Sequence, residues 1–270
     1  MLDLDGLQEE ARPIVRRAAG VYRKHTAPWF IGLVVHGSAV KGGIIPGCSD
    51  LDMQLYLAPE ALSWHGHLPL ELGFAIRRDL EGIELWPFRY LQCYTFPAEM
   101  PEGWVGPIPG AYRLVAGRLP VAEATAEDLR RAAVRDLGAL AAPTYLVSKL
   151  LGPDGEPSRP GGGVRMARNL RLLCTQVWPA LYQVLTLQEE DALAVWRLQK
   201  GVAVARLPEA GGLRAAGEAF HQAVRAYYPA EDSLEGALAL MQAGADCLQA
   251  AKAWWEEVSS AHHGAEKTEY

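Results

Sequence analysis

Apolar positions recur with two different periods along this chain, and the change of period divides it. Between residues 5 and 25, Leu7, Ala11, Val15, Ala18, Ala19 and Tyr22 fall at helical spacing. That predicts an amphipathic helix with Pro13 in its first turns. Phe30-Ile31-Gly32-Leu33-Val34-Val35 is a short, β-rich apolar run, the pattern of a buried strand. Leu51 to Leu57 alternates with period two and predicts a second strand. A helix is expected over 68–81, a third strand from Phe88 to Phe96, and a last short strand from Tyr112 to Ala116. Between the last two, prolines and glycines fill 97–110 and mark a loop.

After residue 122 nothing carries a strand pattern. Thr125-Ala126-Glu127-Asp128 resembles a capping box, with Asp where Glu or Gln is usual. Ala167, Leu170, Leu173, Cys174, Val177, Leu181 and Val184 make one apolar stripe. The glycine- and proline-rich stretch 152–163 reads as a loop, and further helices are expected at 188–206, 211–227 and 232–258. The expected class is α+β. A mixed β-sheet flanked by helices occupies 1–120, an all-helical bundle 121–260, and a polar, frayed tail 261–270.

Composition narrows the partners. Half the 270 residues are hydrophobic and 21% charged, the balance of a soluble globular protein, and the net charge is −6. No global basic field calls for nucleic acid. Arg165, Arg168 and Arg171 share one helix face, which reads as solvated surface. Cys48, Cys93, Cys174 and Cys247 are scattered, without zinc spacing or a disulfide framework. The acidic start Met1-Leu2-Asp3-Leu4-Asp5 is unlike a signal peptide, and the apolar run Trp29 to Val35 is too short to span a bilayer. Asp246 and Lys252 interrupt the Ala- and Leu-rich stretch Ala237 to Trp255. A cytoplasmic protein with no membrane partner is expected.

The chemistry concentrates in Val34-Val35-His36-Gly37-Ser38-Ala39-Val40-Lys41-Gly42-Gly43-Ile44-Ile45-Pro46-Gly47-Cys48-Ser49-Asp50-Leu51-Asp52-Met53. A strand ends in Gly37-Ser38, and Ser49-Asp50-Leu51-Asp52 opens the next. Carboxylates at i and i+2 of a strand point to one side and together suit a hard cation such as Mg²⁺. Gly37 lets backbone approach a phosphate, and Ser38 can donate its hydroxyl to it.

This arrangement resembles the DNA polymerase β-like nucleotidyltransferase superfamily, whose signature is a Gly-Ser pair, about ten residues, then Asp-x-Asp among apolar residues. Here eleven residues separate Ser38 from Asp50, and Leu51 and Met53 are apolar. The resemblance covers residues 33–57. It implies a two-metal Mg²⁺ site on Asp50 and Asp52, with a nucleoside triphosphate as co-substrate. Gly37, Ser38, Lys41 and Ser49 would hold the phosphates. It also implies a third acid on a later strand, yet Phe88 to Phe96 contains none and Gln92 stands in its place. Glu84 is the provisional third catalytic and metal-binding carboxylate, on the expectation that the strand begins near it.

Arg89, Arg113 and Arg118 are weaker candidates for the triphosphate, and His36 reads as a packed histidine. His65-Gly66-His67 reads as loop, Lys149 and Lys200 as helix surface. Trp254-Trp255 is expected in the core or at a contact between two copies, as in a homodimer.

The two-domain layout resembles the antibiotic nucleotidyltransferases, in which the helical domain closes the cleft and supplies part of the acceptor site. The activity implied is transfer of a nucleoside monophosphate, AMP first, to a hydroxyl of a small molecule such as an aminoglycoside. The alternatives are nucleotidylation of a protein or RNA end, and a nucleotide-binding protein that has lost catalysis.

Overall fold

The computed structural model describes residues 2–63, 67–141, 163–230 and 233–265, with backbone alone at 163–165 and 262–265. The chain divides into two compact units, 1–125 and 126–270.

In the first unit the elements run α1 (Ala11–Thr26), β1 (Phe30–His36), α2 (Ser38–Lys41), β2 (Leu51–Leu57), α3 (Leu70–Leu80), β3 (Leu91–Phe96) and β4 (Tyr112–Gly117). The four-stranded sheet has the order β3-β2-β1-β4. β1 pairs antiparallel with β2 and β4, while β2 and β3 run parallel. The mixed sheet of the α+β class is therefore present.

α1 buries Ala11, Val15, Ala18, Ala19 and Tyr22 of the stripe that periodicity marks, with Ile14 beside them, and Leu7 is buried ahead of the helix. It begins at Ala11 rather than near residue 5, which leaves Pro13 within the first turn, where its missing N–H has no partner to lose. Arg23, Lys24 and His25 crowd the last turn, where the helix dipole favours cations.

Strand alternation sorts the sheet into two faces. Leu33, Val35, Leu51, Met53, Leu55, Leu57 and Val115 join the α1 stripe in one core. The other face carries His36, Asp52, Gln54, Tyr56, Gln92, Tyr94, Phe96 and Tyr112, aligned by the strand registers. Gly117 (φ +73°) lies so close to β1 that a Cβ there would stand 2.1 Å from the Ile31 carbonyl oxygen. No side chain fits where β4 crosses β1 at that end.

β3 is shorter than the sequence predicts. It starts at Leu91, and the residues ahead of it form turns in which Phe88 is buried. Glu84 therefore does not begin the strand, a correction taken up below.

The second unit is helical: α4 (Ala126–Gly138), α5 (Gly163–Gln188), α6 (Ala192–Val195), α7 (Lys200–Arg206), α8 (Leu213–Ala230) and α9 (Leu234–Ala265). Leu170, Leu173, Val177, Leu181 and Val184 of the predicted stripe are all buried. The single helix expected at 188–206 is instead two short ones. Asp191 starts α6 by accepting a hydrogen bond from the Ala194 N–H at 2.9 Å. The break is then tied to α5, where Trp196 Nε1 donates to Thr186 Oγ1 at 2.9 Å and Tyr182 donates to the Leu198 carbonyl at 2.6 Å. A side-chain cap and two long-range contacts override local propensity.

Trp254 is buried in this unit's core. α9 continues to Ala265, past the point where a frayed tail was expected. The loop at 152–162, Lys149, the His65-Gly66 pair, the Arg165 side chain and residues 266–270 lie outside the described residues. Among those described, no helix is long and apolar enough to cross a membrane.

Met53 is wholly buried at the centre of β2. Met53→Ala should lower the unfolding free energy by about 2–5 kcal/mol, the usual loss for such a truncation. Urea denaturation measures it. Gln54→Ala, on the other face, should cost less than half as much.

Candidate functional site

β1 and β2 meet at one end of the sheet in the pair His36–Asp52. Gly37 follows at φ +73°, ψ −147°, a conformation open in practice to glycine alone. This turns the chain from β1 into α2. A Cβ on Gly37 would stand 2.7 Å from Asp52 Oδ2, so the missing side chain is the space the carboxylate occupies. The two halves of the motif, far apart in sequence, touch here.

Ser38 is buried, and its hydroxyl donates to the Asp50 carbonyl at 3.5 Å. Ser49 is buried too, and its hydroxyl accepts from the Ile45 N–H at 2.9 Å, closing the loop that delivers Asp50. Ser49 thus positions its neighbour. Asp50 precedes β2 and is only 8% exposed, with Oδ1 shielded from solvent. Asp52 is half-buried. A carboxylate held in this way is costly without an opposite charge.

His36 lies between Asp52 and Tyr112 in the cross-strand rows. Burial lowers its pKa below the usual imidazole value; Asp52 pulls upward, and the nearby Lys41 cation adds to the lowering. A neutral His36 brings no positive charge to Asp52. Lys41, half-buried at the end of α2, is the expected phosphate candidate that stands at this end of the sheet.

The remaining candidates separate cleanly. Arg89 is at this end, since its N–H donates to the Ser49 carbonyl at 2.8 Å. Arg113 pairs with Val35 and so belongs to the opposite face, and Arg118 lies beyond β4 at the other end of β1.

The third acid is where sequence and structure part. Glu84 is exposed, accepts a hydrogen bond from the Trp86 N–H at 3.1 Å, and sits outside the sheet. Its neighbours Ile83 and Leu85 pack against the core on the helix-covered face. The residue in register with Asp52 on β3 is Gln92. The strand therefore presents an amide, not a carboxylate, to the aspartate pair.

Two carboxylates still fit Mg²⁺, which takes one or two from protein and the rest of its octahedron from water and phosphate oxygens. Among the described residues no three His, Cys, Asp or Glu side chains are arranged so that they could hold a metal ion by themselves. The donor set suits an ion that arrives with a triphosphate rather than one held by protein alone.

Sequence reading missed two clusters. On the open face Tyr56 donates to Gln54 Oε1 at 2.7 Å and Tyr112 to Glu123 Oε1 at 2.7 Å. Gln54 and Tyr56 share that face by alternation along β2, whereas Glu123 reaches Tyr112 from the segment after β4, a contact that no periodicity marks. In the second unit Lys200, read as plain helix surface, has its Nζ 5.5 Å from the Trp178 ring centroid. His221 meets the same ring edge-on. Burial lowers the His221 pKa, and Arg225 and Lys200 reinforce the shift.

Two outcomes follow. Gly37→Ala should lose about 1–3 kcal/mol of stability from backbone strain alone. It should also push the Asp52 carboxylate aside, a displacement that a crystal structure of the variant would show. His221 protonates more readily in the unfolded chain than in the folded one. Stability should therefore be full above about pH 6.5 and fall as pH drops through that value. His221→Gln should flatten this limb in melts between pH 5 and 8.

No family profile matches the sequence, and no curated protein matches it. Among solved structures, the chain is similar to spectinomycin adenyltransferase AAD(9) from Enterococcus faecialis, determined with ATP and spectinomycin. The identity is 13%, 88% of this chain and 99% of that chain are covered, and the TM-score is 0.49.

Proposed function

We propose that this protein binds a nucleoside triphosphate with Mg²⁺ and transfers its nucleoside monophosphate, AMP from ATP, to a hydroxyl of a small molecule. The observation that carries the reading is the contact of Gly37 with Asp52, which unites a Gly-Ser turn and an Asp-x-Asp pair at one sheet end. Asp50 and Asp52 are the residues that would hold the ion. When bound, Mg²⁺ would neutralise the triphosphate and stabilise the entering and leaving oxygens. The Gly37-Ser38 turn would let backbone approach the phosphates, and Lys41, whose cation acts on His36, adds positive charge at this end of the sheet. Neutral His36 keeps the Asp52 charge available. The acceptor panel begins with aminoglycosides, because the two-domain layout resembles that branch.

Gln92 favours a second reading. An amide offers a ligand oxygen but takes no proton, so the chain brings no third carboxylate to the expected position. A protein that holds Mg²⁺ and triphosphate but transfers slowly or not at all has this donor set.

Calorimetric titration with Mg²⁺ and ATP, beside pyrophosphate release over a panel of hydroxyl acceptors, separates the two. Wild-type protein should bind ATP only with Mg²⁺, and Asp52→Asn should stay folded and weaken binding about tenfold or more. Pyrophosphate release supports transfer. Gln92→Glu should then speed it, by up to about 10² for a positioned base. Binding without release selects the second reading, and ATP binding untouched in Asp52→Asn removes both.

A further inference from the structure

A cavity of about 390 Å³ lies under α3, on the helix-covered face of the first unit's sheet. Leu55, Ile76 and Leu91 are among its apolar walls. Gly73 also lines it, from the middle of α3. Glycine inside a helix is unfavourable relative to alanine, so a packing reason is expected. None exists at this position, where a Cβ would find nothing within 4 Å. What Gly73 leaves is room.

Two of the cavity's polar side chains are matched to each other. Tyr22 and Cys93, both lining the cavity, share a side-chain hydrogen bond, and burial pushes the Cys93 thiol up to about 12. At the rim Arg77 is neutralised by Glu81 at 2.7 Å, and both side chains are exposed. No charge awaits a partner there. An enclosed, dry cavity of about 150 Å³ accepts benzene; this one is about two and a half times larger and opens to solvent at the exposed Arg77 and Tyr90.

We propose that this cavity is a binding site for a small, neutral, mostly apolar molecule of two-ring size. The occupant does not react at the aspartates. Leu91 and Cys93 face the cavity, whereas Gln92 between them faces Asp52 on the other side of the strand. The site is separate from the nucleotide reading and stands or falls without it.

Indole is a suitable probe, neutral and bicyclic, with indole-3-acetate as its anionic counterpart. A ligand that binds only the folded chain raises the melting temperature with concentration and then follows its saturation law. Indole should raise the Tm of the full chain in this way, and indole-3-acetate should do so at least tenfold less potently. Gly73→Leu, which fills the cavity from the helix side, should abolish the indole shift while keeping the far-ultraviolet circular dichroism. If Gly73→Leu does not fold, Gly73→Met carries the same comparison with an unbranched side chain. No shift in wild type, an equal shift in the filled variant, or equal potency of the anion overturns the proposal.

Discussion

The pairing of β1 with β2 is the interaction on which the first unit depends. Its register decides which residues enter the core and which face outward. With His36 opposite Asp52, Leu33, Val35 and the odd-numbered residues of β2 enter the core with α1, and His36 and the even-numbered residues of β2 form the open face. A register shift between Phe30 and Gly32 returns Phe30 to the core side. A slip of one residue would bury Asp52 and expose Met53. The same register brings Gly37 onto the Asp52 carboxylate, so one set of hydrogen bonds specifies both the fold and the site.

Much of this was legible because its signals are local. The α1 stripe, the apolar β1 run and the alternation of β2 are short-range patterns, and each element formed where its pattern lies. The Gly-Ser and Asp-x-Asp pairs were legible as residue types, since spacing and chemistry agree. Position across the sheet was not. Whether Gln92 or Glu84 stands by Asp52 depends on where β3 begins, and turns around Phe88 decide that, not periodicity. The break after Gln188 was equally hidden, because Asp191, Thr186 and Tyr182 act across turns that a helical average smooths over.

Electrostatics and packing pull against each other at the site. Asp50 is nearly buried and Asp52 half-buried on the same short segment, with a neutral imidazole alongside. Folding must hold these charges together before any cation arrives, and that lowers stability for the sake of the site. The Lys41 cation, near enough to act on His36, relieves the field from one edge. The burial of Ser38 and Ser49 then has a mechanical reason, for their hydroxyls pin the two loops that carry the strain.

Gln92 changes that balance. A carboxylate there would be a third negative charge in the row of Asp52, raising repulsion in the absence of a cation and tightening cation binding in its presence. An amide of nearly the same shape keeps the packing and the ligand oxygen while removing the charge. The first unit therefore folds with less repulsion than a three-acid site would impose. On the proposed reading, the charge of a triphosphate would in exchange be neutralised more by the cation and its waters than by the protein. Under that reading the site would depend on divalent ion concentration more than a three-acid site does.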